Sequence, residues 1–145
     1  MTLAELREAK AAWRERYQAI AAKHTPEGVT VVESSGMYGK WFCRERRIKA
    51  PKPVGKMSLF IYLHECGHAH LGHCYNRKVC PKPRYLQEYE AEQWAIRVFR
   101  QEGLSVPRRV LQRAKEYVAM KVQRADRRGV KRVDPKIRAW AGVTQ

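Results

Sequence analysis

Acidic side chains are scarce in this chain of 145 residues, where 14 Asp and Glu face 30 Lys and Arg and leave a net charge of +16. Long hydrophobic runs are absent as well. The longest apolar stretch covers residues 59–63 and is far too short to span a bilayer. The first residues show no basic-then-apolar targeting segment. We therefore expect a cytoplasmic protein that has no membrane partner.

Cysteine is also rare, with Cys43, Cys66, Cys74 and Cys80 at irregular spacings and no C-x-x-C pair. Such a set does not suit the disulfide framework of a small secreted domain, so we expect free thiols in a reducing compartment. A second, structural zinc site that uses His73 with some of these cysteines is the alternative. The irregular spacing disfavours it.

The excess positive charge is concentrated towards the C-terminus. Residues 105–145 hold 12 basic and 3 acidic side chains, a net charge of +9 in well under half of the chain. A segment of this kind is attracted to nucleic acid or to an acidic protein, although many basic faces are simply solvated. The C-terminal region is therefore a candidate nucleic-acid-binding surface.

The pattern of apolar residues and turns predicts an α+β fold, in which a small antiparallel sheet packs against a helical core. Residues 1–128 are expected to form one domain, with a basic helix over 105–128 packed on it and a basic tail over 129–145. Thr2 and Glu5 form a capping box at the first helix, whose apolar side is expected to pack on the core. The predicted helices cover 3–23, 57–72, 84–102 and 106–128, and the predicted strands lie within 29–32 and 38–49.

The central motif is H-E-x-x-H, formed by His64, Glu65 and His68. On a helix, the two histidines lie on one face with their Cβ atoms about 5–6 Å apart, so both can bind one zinc ion. Glu65 lies about 100° round the helix. It is therefore beside the metal, where it can take a proton from a zinc-bound water.

A catalytic zinc site needs a third protein ligand and one open position. The candidates are His73 in the next loop and Glu88, Glu90 and Glu92 in the next helix. His73 does not fit the offset of the three-histidine pattern H-E-x-x-H-x-x-G-x-x-H. Helical periodicity does not separate the three glutamates.

Two segments, HECGHAHLGH over residues 64–73 and EYEAEQWA over 88–95, together resemble the ImmA/IrrE family of metallopeptidases. The resemblance covers roughly residues 28–100. It implies a zincin-like helical core, zinc as the cofactor and Glu65 as the general base. The zinc ligands that it implies are His64, His68 and Glu90.

The function implied is a zinc-dependent metallopeptidase that cleaves a specific intracellular protein. In the resembling family that protein is often a DNA-binding repressor of a mobile element such as a phage. Hydrolysis also needs a second group that stabilises the developing charge on the carbonyl oxygen. The candidate donors are His73, Tyr85 and Tyr89, and His70 is a candidate for orienting a ligand.

Three alternatives remain open at this point. The first is a basic nucleic-acid-binding or regulatory protein with a structural or vestigial zinc site. A related interpretation takes helices 84–102 and 106–128, separated at Gly103, as a helix-turn-helix reader, but both are longer than that motif needs. The last is an inhibitor that sequesters its target by charge.

Overall fold

The computed structural model describes residues 1–144, which form an α+β fold of five helices and one three-stranded sheet. The α+β class predicted from the sequence is confirmed. The elements, in chain order, are α1 (Leu3–His24), β1 (Thr30–Glu33), β2 (Lys40–Phe42), β3 (Arg47–Ala50), α2 (Lys56–His70), α3 (Arg84–Gln101), α4 (Arg108–Arg127) and α5 (Pro135–Ala141).

The sheet is mixed, so the prediction of an antiparallel sheet is wrong for one of its two pairings. Its strand order is β1-β3-β2. β2 runs antiparallel to β3, with Trp41 opposite Ile48, whereas β1 runs parallel to β3, with Val31 opposite Ile48. Because β3 folds back between the two earlier strands, it takes β1 as a parallel neighbour and leaves β2 at the edge of the sheet.

Helix α2 is the centre of the core. Its residues from Ser58 to His68 are all buried, as the all-round apolar sequence before the motif predicts. Leu59 and Leu63 are fully buried, and Phe60 packs edge-on against Phe99 of α3 with ring centroids 5.5 Å apart. The H-E-x-x-H residues therefore lie on an element that is held on most of its sides.

Helices α2 and α3 approach each other closely at Gly67. A Cβ atom at this position would lie 3.2 Å from the carbonyl oxygen of Ala91 and 3.2 Å from the ring of Trp94. Ala91 and Ala95 present small, fully buried side chains on the facing side of α3. Small residues on both helices thus bring the start of α3 up to the motif.

The predicted capping box of α1 is present, with the Thr2 hydroxyl accepting from the Glu5 N–H and the Glu5 carboxylate accepting from the Thr2 N–H. The predicted packing of this helix on the core holds only for its second half. The buried residues are Tyr17, Ile20 and Ala21, whereas Leu3, Leu6 and Trp13 are exposed.

The segment predicted as a basic tail contains α5, which packs on the rest of the protein. The Asp134 side chain caps this helix by accepting from the Lys136 N–H. Ile137 is fully buried, and the Arg138 guanidinium donates to both carboxylate oxygens of Asp126 in α4. The last residue of the predicted tail, Gln145, lies outside the described residues.

Cys43 and Cys74 form a disulfide with a Cα–Cα distance of 5.5 Å, so the prediction of free thiols is wrong for this pair. The two residues are 31 positions apart. They meet because β2 lies beside the loop that leaves α2, which cysteine spacing does not reveal. Cys66 and Cys80 are free and buried, as expected.

Within residues 1–144, no helix combines the length and the apolar composition that a bilayer span requires.

Replacement of Leu59 by Ala should lower the free energy of unfolding by about 2–5 kcal/mol, because it leaves a cavity in the core beside α2. The same change at Leu3, which is 64% exposed, should stay within about 0.5 kcal/mol of wild type. Urea denaturation of both variants checks this. Equal losses would contradict the central position of α2.

Candidate metal centre

Three potential ligand atoms converge where α2 meets α3. The Nε2 atoms of His64 and His68 lie 3.0 Å apart. One carboxylate oxygen of Glu88, Oε2, is 2.8 Å from the first nitrogen and 3.0 Å from the second. All three side chains are buried. Two imidazoles and a carboxylate therefore meet at one point.

This cluster fits a divalent metal ion. Ligands at about 2.0–2.1 Å from a tetrahedral ion lie about 3.3 Å from one another, close to the distances between these three atoms. Burial opposes charge on His64, yet the carboxylates of Glu92, Glu65 and Glu88 hold the pKa of this histidine well above its usual value. The two imidazoles hold the pKa of Glu88 well below its usual value, against the effect of burial. This buried carboxylate would be stabilised by a cation at the centre.

The imidazole of His64 is oriented by a second carboxylate of α3. Its Nδ1 atom contacts the carboxylate of Glu92, which is buried. Glu88 and Glu92 are four residues apart and share one face of the helix. A carboxylate oxygen accepts the hydrogen bond from an N–H group, so Nδ1 of His64 carries the hydrogen when it donates to Glu92 from the neutral ring. Its Nε2 lone pair then points to the centre.

The imidazole of His68 is oriented by a chain of polar groups. Its Nδ1 lies 2.9 Å from Nδ1 of His73, whose Nε2 lies 2.8 Å from Oε1 of Glu90. Lys82 donates to both oxygens of Glu90, at 2.9 and 3.0 Å. Against the effect of burial, Lys82 and His73 keep the pKa of Glu90 below its usual value, so this carboxylate is ionised.

The tautomers of His68 and His73 follow from the ionised Glu90 carboxylate at the end of this hydrogen-bonded series. Burial lowers the pKa of His73 and lowers that of His68 to about 4, so both rings are neutral at pH 7. His73 must donate from Nε2 to Glu90 and accept at Nδ1. His68 then donates from Nδ1, which leaves its Nε2 lone pair facing His64 and Glu88. Outer partners of this kind are a regular feature of histidine metal sites.

Glu90, the third ligand implied by the family resemblance, is not placed at the cluster. It lies on the far side of His73 and pairs with Lys82. Glu88 takes the position between the two motif histidines because it lies on the face of α3 that is turned towards α2. His73, a candidate donor to the substrate, holds His68 instead.

Glu65 lies beside the cluster. One of its oxygens is within 4.8 Å of the ligand atoms of His64 and His68, whereas Glu88 is within hydrogen-bonding distance of both. Glu88 is therefore the better third ligand. Burial raises the pKa of Glu65 to about 8, and the carboxylates of Glu88 and Glu92 add to the rise.

The loop before β2 covers Glu65. A Cβ atom at Gly39 would lie 2.7 Å from Cγ and 2.7 Å from Oε2 of this glutamate. Any larger residue at this position would displace the Glu65 carboxylate. The glycine is thus needed for the close approach of the loop and not for an unusual backbone angle.

Three further side chains predicted near the site lie elsewhere. His70 is exposed and stacks on Trp94. The Tyr85 hydroxyl accepts from the backbone N–H of Asp134, and Tyr89 packs against α5. None of these three lines the cleft of about 150 Å³ at the cluster.

Tyr117 of α4, which is followed in the sequence by Val118, Ala119 and Met120, lines this cleft. Its ring packs edge-on to His64, with ring centroids 6.1 Å apart. Burial raises the pKa of its hydroxyl, and the carboxylates of Glu88 and Glu65 raise it further. The hydroxyl therefore stays protonated and able to donate. Its place among apolar residues gave no sign of this position.

Comparison with known proteins adds no relative. No protein-family model matches the chain, and no curated protein or solved structure is similar to it. Membership of the ImmA/IrrE family stays a prediction from the two motifs, and the geometry of the cluster has to carry the functional argument.

Replacement of Glu88 by Gln should weaken the binding of a divalent metal ion by about 100-fold or more. This exceeds the loss of about 10–100-fold that is typical when an outer hydrogen-bond partner of a ligand is removed. The matched change of Glu90 to Gln should cost about tenfold or less, because two hydrogen bonds separate it from the cluster. Titration with a competing chelator measures both affinities. The reverse order would restore Glu90 as the ligand.

Proposed function

We propose that this protein is a zinc-dependent metallopeptidase that hydrolyses a bond within another protein. The observation that carries the proposal is the meeting of His64 Nε2, His68 Nε2 and Glu88 Oε2 within 3.0 Å of one another. Two histidines and one glutamate are the ligand set of a large class of zinc peptidases. The helical core with a small sheet beside the motif helix suits a zincin-like arrangement.

The roles of the residues follow from their positions. His64, His68 and Glu88 would hold the metal, and Glu92 and His73 would fix the two imidazoles. A bound zinc ion supplies a Lewis acid that polarises a carbonyl group and acidifies water. Glu65 is not needed as a ligand. Its raised pKa of about 8 means that the nearby positive charge of a bound cation would be needed to favour its ionised form. In that form it could take a proton from water and return it to the leaving amine.

Tyr117 is the proposed donor to the developing negative charge on the carbonyl oxygen. It lines the cleft from the side of α4 and stays protonated, whereas Tyr85 and Tyr89 lie outside the cleft. His73 is already used by His68 and Glu90.

A peptide substrate is favoured by the strand that borders the cleft. β2 is an edge strand, and Gly39, Lys40 and Trp41 at its start line the cleft with the motif residues. An exposed strand edge can pair with an extended peptide. The resemblance of the sequence to the ImmA/IrrE family makes a DNA-binding repressor the proposed substrate.

Replacement of Glu65 by Gln should leave zinc bound and lower the rate of cleavage by about 10²–10⁴-fold, because the general base is lost. Purified protein is incubated with peptides from a digested proteome, and new termini are identified by mass spectrometry. Metal content is measured on the same samples.

The matched control for this experiment is Glu116→Gln, which removes an exposed carboxylate on α4 and should keep both zinc and activity. The proposal fails if wild-type protein binds no stoichiometric metal. It also fails if the Glu65 variant cuts as fast as wild type.

Replacement of Gly39 by Ala should lower cleavage at unchanged zinc content, since the added methyl group displaces Glu65. The loss should be at least about tenfold, because small misplacements of a catalytic group are costly. Gly36→Ala is the control, as its Cβ would meet Tyr38 at an ordinary 3.6 Å. Unchanged activity in the Gly39 variant would show that cleavage does not require the position that the Glu65 carboxylate occupies beside Gly39.

A further inference from the structure

A second cavity, of about 430 Å³, opens next to the metal cleft. Its walls come from the loop after α2, the start of α3 and the second half of α4. Tyr75 and Arg84 border both cavities. We call this cavity the basic groove, because its lining includes five cationic side chains: Arg77, Arg84, Lys121, Arg124 and Arg128.

The cations of the basic groove are almost without counter-charges. No acidic side chain lines the groove. Arg84 pairs with the carboxylate of Glu88 at 3.6 Å, and across residues 1–144 the other four cations make no ion pair. Burial lowers the pKa of Lys121, the Glu88 carboxylate acts in the opposite direction, and Arg124 is among the neighbouring cations that lower it. Like charges gathered in a concave site create a strong local attraction for an anion.

We propose that the basic groove binds acidic side chains of the protein substrate, on one side of the bond that is cut at the metal centre. This inference rests on the proposed peptidase function and names the substrate class. Guanidinium groups bind carboxylates through paired, charge-assisted hydrogen bonds, and arginine supplies four of the five cations.

Continuity with the cleft favours a peptide as the occupant. A chain that passes along the cleft meets the groove at Tyr75 and Arg84, so residues a short distance from the cut bond reach the arginines. The groove is a concave pocket that holds a few side chains. A nucleic acid held by its backbone needs a row of cations that contacts many phosphates, whereas the five cations of this groove line a single cavity.

The test is direct binding of an acidic peptide. The probe is a fluorescein-labelled decapeptide of alternating glycine and aspartate, and a glycine–serine decapeptide is its uncharged counterpart. Both are titrated by fluorescence anisotropy with protein that carries Glu65→Gln, so that no cleavage interferes. The acidic peptide should bind, and its affinity should fall with added salt. The uncharged peptide should not bind.

The variant that removes the groove charge is Arg124→Glu with Arg128→Glu. It should weaken binding of the acidic peptide by at least about tenfold, since like charges then face each other. The matched control is Arg108→Glu with Arg109→Glu at the other end of α4, which changes the net charge equally and should cost about threefold or less. All four side chains are exposed, and thermal unfolding checks that both proteins are folded.

Several outcomes would overturn the proposal. These are no binding of the acidic peptide, or equal weakening in the two double variants, which would show an effect of net charge alone. The third is weaker binding of a labelled double-stranded DNA of about 20 base pairs, about two helical turns in length, in the groove variant while binding of the acidic peptide is unchanged. That result would make the groove a nucleic-acid site.

The sequence preference of cleavage is a separate test of the proposal. Bonds cut by wild type in the proteome digest should be enriched in aspartate and glutamate on one side, and the groove variant should lose this enrichment while the control keeps it. Cleavage without any enrichment would overturn the inference and leave the peptidase standing. Peptide binding in the groove without hydrolysis would overturn the peptidase and with it the assignment of this anion as substrate.

Discussion

The contact of α2 with α3 at Gly67 is the constraint on which the candidate metal centre depends. Each helix contributes a pair of polar residues spaced by four, and the two pairs face each other only if the helices lie this close. A methyl group at Gly67 would already meet the Ala91 carbonyl oxygen at 3.2 Å. Separation of the helices would move the Glu88 carboxylate away from the two imidazoles. The small residues are therefore as much a part of the site as its ligands.

Two different sets of neighbouring polar groups hold the imidazoles of His64 and His68 in the same tautomeric form. His64 is fixed by a carboxylate of the same helix that supplies the third ligand, so its orientation follows from the docking of α3. His68 is fixed through His73 and Glu90, which belong to a loop and to a different face of α3. The second arrangement ends at the partly exposed Lys82, whose charge keeps Glu90 ionised. The geometry of the ligands is thus set by packing on one side and by a salt bridge near the surface on the other.

The sequence was sufficient for the α+β class, the positions of the first four helices and the place of Glu65 beside the motif histidines. It also contained a signal for the third ligand. Glu88, Ala91, Glu92 and Ala95 follow one another at the spacing of a single helical face, and small residues on that face indicate close packing. Glu90 lies about 200° away on the same helix. The parallel pairing of β1 with β3 and the Cys43–Cys74 disulfide depend on how distant segments meet, which local pattern does not specify.

The charge of the protein acts on two length scales. A net charge of +16 would repel a metal cation if every charge counted equally. Screening limits the interactions of exposed charges to about 8–10 Å at physiological salt, whereas the carboxylate of Glu88 is buried beside the two histidine nitrogens. The two imidazoles hold its pKa well below the usual value, against the effect of burial. Buried charges are screened much less, so they determine the field at the metal centre. The surface charge instead acts on what approaches the cleft from outside, and an anionic partner gains from it without weakening the metal site.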